Sequence, residues 1–233
     1  MNGWMPRRAR STAIAVLVCV IGVTAVAATA WGAAMPIRAT DSVTDYESAL
    51  YTMTQGEKAS FNNTGPGIPH NVTANRRIGG QRLFRSKTIT GDASAPVSGT
   101  QYLTTGDYTF FCSIHPTMQA TLQVTGSGTP VARPKISVAI LSGQLAKVTN
   151  TGKARVRVKA LTKSDNVALK LKLGSKPLAS KSNIDLAPGQ VRRLTLKLGR
   201  RARNRLAGKD QAKLKLVGSV PFGKTATASK LLK

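Results

Sequence analysis

The chain has 233 residues, 41% hydrophobic but only 5% aromatic, so it can hold one large or two small domains with mainly aliphatic cores. Its net charge of +26 is uneven: residues 1–34 carry three arginines, residues 35–130 carry seven Lys/Arg against six Asp/Glu, and residues 131–233 carry 25 Lys/Arg against Asp165, Asp185 and Asp210. That asymmetry argues against one uniform body and for two units with different surface roles.

Residues 1–34 read as an export signal or an uncleaved membrane anchor. Arg7, Arg8 and Arg10 form a positive start, an apolar stretch follows, and Ala28-Thr29-Ala30 offers a small-residue cleavage site. The uncharged run from Ser11 to Ile37 is long enough for a bilayer span, which needs about 20 residues. In either case the arginines stay inside and the rest of the chain is exported. Cys19 reads as an apolar residue of this segment, because the preceding Val18 is too large for a lipidation signal.

Residues 35–125 read as a β-domain. Short runs rich in β-branched and aromatic residues (ALYTM, KASFNN, HNVTA, SKTIT, TQYL, YTFF, ATLQV) are separated by the turn signals QGE, TGPG, GDAS and TTGD. RRIGGQRLF (76–84) has no clear period and is expected to be a loop. Residues 126–134 form a Gly/Ser/Pro linker. Residues 135–233 alternate apolar and basic side chains with period two, as in ARVRVKAL (154–161), VALKLKL (167–173), VRRLTLKL (191–198) and AKLKLV (212–217), which predicts strands with Lys and Arg facing water. VTNTG (148–152) and LAPGQ (186–190) read as turns, and RRARNRLAG (200–208) as the one stretch able to form a helical turn. The expected fold class is all-β, with two successive sandwiches.

The chemistry concentrates in FFCSIHPTM. Cys112, His115 and Met118 stand there at a C-x2-H-x2-M spacing, and His70, in GIPHNV, is the only other histidine. A thiolate, two imidazoles and a weak axial thioether are the donor set of an electron-transfer copper centre, with one copper per chain. Cys112 ends the run YTFFC and Pro116 stiffens the turn after it, so one loop can aim three donors at one point. Phe110, Phe111 and Ile114 can supply an apolar shell around the sulfur. The bland alternative is a core thiol beside an ordinary surface imidazole. With Cys19 in the N-terminal segment, a metal also explains the one unpaired thiol of the exported portion. If both histidines ligate, none remains for a Ser-His hydrolase, a zinc protease or the extra clusters of a multicopper oxidase, so no enzymatic activity is expected.

FNNTGPGIPHNV together with GDYTFFCSIHPTMQATLQV resembles the plastocyanin/amicyanin/pseudoazurin group of type 1 (blue) copper proteins, the cupredoxins, over about residues 41–125. The resemblance implies an eight-stranded Greek-key sandwich with copper at one end. It implies His70, Cys112 and His115 as equatorial ligands and Met118 as the axial one. It places Asn71 and Ser113 in a supporting shell that ties the ligand loops together. It also makes His115, ringed by Pro66, Ile68, Pro69, Pro116 and Thr117, the electron exit. The first strand, within DSVTDYESALYTM, fits the family pattern poorly. Asn71-Val72-Thr73 matches a glycosylation sequon, discounted because a glycan would collide with the site.

The C-terminal part more loosely resembles Ig-like modules of bacterial surface proteins, through its N-T-G turn and L-x-P-G-Q. Its charge is either a solvated outer face or a means of attachment to an anionic surface, such as wall polymer or membrane. Nucleic acid is not expected as a partner, because aromatic stacking residues are lacking. The leading expectation is an exported one-electron carrier serving redox partner proteins; the alternative is a copper storage or delivery protein of the cell envelope.

Overall fold

The computed structural model describes residue 1, residues 36–65 and residues 67–233. The candidate signal or anchor, with Cys19, lies outside the described residues, as does Pro66. Among the described residues no helix is long and apolar enough to cross a membrane.

The protein is all-β. The first half holds β1 (Pro36–Ala39), β2 (Leu50–Thr54), β3 (Ser60–Asn63), β4 (Thr73–Ala74), β5 (Arg77–Ile78), β6 (Gln81–Arg82), β7 (Ala93–Pro96), β8 (Gly106–Phe111) and β9 (Gln119–Thr125). One sheet has the order β1-β3-β7 and the other β2-β9-β8-β4, while β5 and β6 form a separate hairpin. Alternation explains the layering: in β9, Ala120, Leu122 and Val124 turn inward while their neighbours turn out. Inward residues of both sheets share one core, with Ile37, Phe61, Phe84, Phe110 and Leu122 fully buried.

Several local expectations are corrected. Ile37, the last residue of the uncharged N-terminal run, belongs to the first sandwich: β1 pairs in parallel with β3 and buries Ile37 in this core. The strand expected at ALYTM does form, as β2 from Leu50, and its pairing, with β9, is parallel. TQYL is a 3-10 turn, Thr100–Tyr102, following Gly99 at φ 105°. The GDAS region contributes the start of β7, which pairs antiparallel with β3. The segment 76–84 is a hairpin, since Gly79 and Gly80 both adopt the left-handed conformation that a two-residue turn requires. HNVTA shrinks to β4, and SKTIT keeps only a bridge between Ile89 and His70.

The second half holds β10 (Ile136–Ile140), α1 (Leu145–Thr151), β11 (Lys153–Ala160), β12 (Ser164–Leu173), β13 (Lys176–Leu186), β14 (Val191–Lys197), α2 (Arg200–Asn204), β15 (Ala212–Ser219) and β16 (Ala226–Leu232). Its sheets are β10-β11-β14 and β13-β12-β15-β16. In β11 every second residue is buried, which sends Val156 and Val158 into the core and Arg155, Arg157 and Lys159 into water. VTNTG is not a free turn. Its first four residues end α1, because Leu145 and Val148 at helical spacing bury against the core and Gly152 caps the helix at φ 62°. A helix does form within 200–208, as α2.

The two sandwiches meet along a seam. Arg133, at the end of the stretch read as a linker, donates from Nη1 to the Phe222 carbonyl (3.0 Å) and from Nη2 to the Tyr102 carbonyl (2.9 Å). The Gln81 amide donates to the Val220 carbonyl at 2.9 Å. Gly99 must be glycine here: a Cβ would collide with the Leu83 carbonyl and the Phe222 ring.

Candidate metal centre

Two loops at one end of the first sandwich carry the candidate ligands. Cys112 directly follows β8, and Phe111 pairs with Gln119 of β9, so residues 112–118 form a closed connection. The Cys112 amide donates to the Met118 carbonyl (3.0 Å) and the Met118 amide to the His115 carbonyl (2.9 Å), which fixes the loop from within. His70 exchanges two 3.0 Å backbone hydrogen bonds with Ile89. The buried Asn63 side chain then donates to the carbonyls of Ile68 (2.8 Å) and Ile89 (3.1 Å), holding the approach to His70.

Asn71 joins the two loops. Its Nδ2 donates to Ser113 Oγ (2.9 Å) and Thr88 Oγ1 (3.0 Å), while its Oδ1 accepts from the Ser113 amide and the Thr73 hydroxyl, both at 3.0 Å. Its backbone carbonyl accepts from the buried Tyr46 hydroxyl at 2.6 Å. With its amide nitrogen committed and the residue 3% exposed, Asn71 cannot carry a glycan. We expect Asn71→Ala to lower copper affinity about 10–100-fold, the usual effect of losing a partner that orients ligands. Competition against a chelator of known affinity checks this; an unchanged affinity would show that each loop holds its own shape.

His70, Cys112 and His115 come together. One donor atom from each lies within 4.8 Å of the others. The two Nδ1 atoms are 3.3 Å apart, and Cys112 Sγ is 3.8 Å from His115 Nδ1. Bonds of about 2.0 Å to nitrogen and 2.3 Å to sulfur, typical of a first-row ion, give nitrogens about 3.5 Å apart and nitrogen about 3.7 Å from sulfur in a trigonal plane. The cluster fits a mononuclear copper site.

His70 is fully buried, and its Nε2 has no hydrogen-bond partner. Burial, and secondly His115, hold its pKa below the ordinary value. The ring is therefore neutral near pH 7, with a nitrogen lone pair available to a metal. His115 is only half-buried, beside the exposed Ile114, Pro116 and Thr117. Met118 is fully buried in the same apolar cluster as Cys112 and Phe110. A soft sulfur donor with two imidazoles suits copper. Tyr46, Thr73 and Thr88 escaped sequence reasoning. Nothing in the local sequence marks Thr88, 17 residues from Asn71, and the aromatic Tyr46 amid polar residues was the one available signal.

No protein-family model and no curated protein sequence matches the chain. Solved structures that resemble it include amicyanins. A reduced single-residue variant of amicyanin is 20% identical, covering 40% of this chain and 82% of that one, with a TM-score of 0.33. Amicyanin from Paracoccus versutus is 25% identical, covering 40% of this chain and 83% of that one, with a TM-score of 0.33. The case for copper rests on the donor geometry, which supports a copper electron-transfer protein.

Proposed function

We propose that this protein is an exported, non-enzymatic carrier of single electrons, holding one copper at His70, Cys112 and His115 with Met118 as the axial ligand. The observation that carries the reading is the convergence of the two Nδ1 atoms and Sγ on one point, in loops already held by hydrogen bonds. Bound copper would supply a Cu(II)/Cu(I) couple that accepts and passes on one electron without bond-making to a substrate. The chain keeps the donors in place. Asn71 locks one ligand loop to the other, and the Cys112–Met118 backbone bond closes the second. Buried Phe110 and Met118 keep water from the sulfur, while His115 reaches the surface and forms the edge where a redox partner protein docks.

The test is the visible spectrum of the full chain after one equivalent of Cu(II). A carrier shows an intense thiolate-to-copper band that bleaches and returns with one electron per copper. Tight uptake of Cu(I) with no coloured oxidised form would replace this reading with copper storage or delivery. Met118→Gln should keep copper, with affinity changed by less than about tenfold, and should lower the reduction potential, because the axial bond is weak and a harder oxygen favours Cu(II). Loss of copper would mean that Met118 is a principal ligand.

The second sandwich we assign to attachment at an anionic surface, wall polymer or membrane. Its outward Lys and Arg stand almost alone: the ion pairs among the described residues are Arg38–Glu47 and Lys163–Asp165. Exposed charge is screened over about 8 Å at physiological salt. Cosedimentation of the full chain with anionic vesicles should therefore fall steeply as salt rises. Equal binding to neutral vesicles would leave these charges as a solubilising coat.

A further inference from the structure

Away from the metal centre, the seam between the sandwiches opens into a cleft of about 370 Å³ lined by Arg77, Gln81, Arg82, Arg85, Pro221 and Phe222. Chain geometry concentrates its charge. Arg77 and Arg82 are direct cross-strand partners in the β5–β6 hairpin. Arg85 follows three residues later, held by a double backbone bond to Ser98 (3.0 and 2.9 Å). Like charges directly opposite on a hairpin repel. No carboxylate among the described residues pairs with any of the three.

Two of these guanidinium groups are already fixed. Arg82 Nη1 donates to the carbonyls of Ala74 (3.0 Å) and Asn75 (2.8 Å), and its guanidinium lies 5.1 Å from the Phe111 ring centre. Arg77 Nη1 donates to the Gly80 carbonyl at 2.9 Å. These bonds use Nη1 only, which leaves further N–H donors on each fork. Burial, and then the charge of Arg77, pull Arg82 below its ordinary pKa, as expected where cations are crowded with no anion among them.

The opposite wall, Pro221 and Phe222, is apolar. Phe222 adopts a left-handed backbone, φ 60°, which is costly for a residue with a side chain. Arg133 holds its carbonyl, and its ring lies 6.4 Å from that of Tyr102. An apolar wall beside fixed cations strengthens their attraction for an anion by excluding water. Arginine forks match the oxygens of a tetrahedral anion, and several of them favour a multiply charged one.

We propose that this seam cleft is a binding site for a phosphate group, held by Arg77, Arg82 and Arg85 and walled by the second sandwich. The phosphate is a free ion or the phosphodiester of a lipid headgroup. In both cases the anion removes the repulsion between the facing arginines and favours the docked arrangement of the two sandwiches. The site is independent of the copper reading, since none of its residues is a candidate metal ligand.

The experiment is calorimetric titration of the full chain with inorganic phosphate at low ionic strength, with sodium chloride as the control anion. Saturable one-to-one binding is expected. The double variant Arg77→Gln/Arg85→Gln should weaken it at least about tenfold, the effect of losing hydrogen bonds to a charged group. A matched pair on the second sandwich, Arg155→Gln/Lys159→Gln, should not. An unaltered circular dichroism spectrum shows that each variant is folded, and Arg77→Lys, which keeps charge but loses the fork, should fall between wild type and the double variant. Binding equal in wild type and the cleft variant, equal loss in both double variants, or chloride binding as strong as phosphate would overturn the proposal. Phosphatidylglycerol vesicles at fixed ionic strength separate the sources: weaker binding by the Arg77→Gln/Arg85→Gln variant than by the Arg155→Gln/Lys159→Gln variant, which loses the same charge, identifies the headgroup, and equal binding by the two identifies the free ion.

Discussion

Cys112→Ser should yield a folded protein that no longer binds one copper tightly and has no intense colour when oxidised. Cys112 is the one free thiol among the described residues and is fully buried. A serine hydroxyl stays protonated at neutral pH and is a hard donor, whereas the thiolate is the soft ligand that selects copper and gives the charge-transfer band. The imidazoles, with Nδ1 atoms 3.3 Å apart, would retain weak Cu(II) binding. The affinity should fall by more than the 10–100-fold expected from removing an outer partner. Fold should survive, because the backbone bond from residue 112 to the Met118 carbonyl does not need the sulfur. Equilibrium dialysis and absorption of the variant beside wild type decide it. A variant that kept both copper and colour would place the ligands elsewhere.

Phe110→Ala should destabilise the first sandwich by about 3–5 kcal/mol, the usual range for deleting a buried aromatic side chain. Phe110 has no exposed surface and stands at the centre of an aromatic cluster. Its ring centroid lies 5.0 Å from Tyr46, 6.1 Å from Tyr51 and 6.2 Å from Phe84. Tyr46 and Tyr51 are tied elsewhere by their hydroxyl hydrogen bonds to Asn71 and Arg38, so shifting either ring into the gap would cost those bonds. Typical domain stability is about 5–15 kcal/mol, so this loss takes a large part of it. Urea denaturation followed by tyrosine fluorescence measures it, and copper affinity should fall as well, since Phe110 stands two residues before Cys112 on the strand that leads to it. A loss below about 1.5 kcal/mol would show that the core closes around the gap.

Cys112 and His115 were legible together because chain connectivity holds them within one short turn, whatever surrounds it, and Met118 lies in the same turn as the candidate axial donor. His70 was legible by elimination, as the only other imidazole. The supporting shell was half legible. Asn71 and Ser113 adjoin ligands, but Thr88 and Tyr46 reach Asn71 across 17 and 25 residues of chain, and only the closed fold brings them there.

Strand patterning in the second half was legible for a similar reason. Alternation such as Val156, Val158 against Arg155, Arg157 reports which face is dry, residue by residue. What the sequence by itself determined is therefore the cluster of His70, Cys112 and His115, the all-β class and the division of charge, each carried by composition or by side chains a few residues apart. Tertiary structure alone decided the parallel pairing of β1 with β3 and β2 with β9, the helix where VTNTG suggested a turn, and the seam that gathers three arginines. These depend on contacts between segments far apart in the chain. Ordering such contacts costs loop entropy that no local stretch can offset, so only the completed packing selects them.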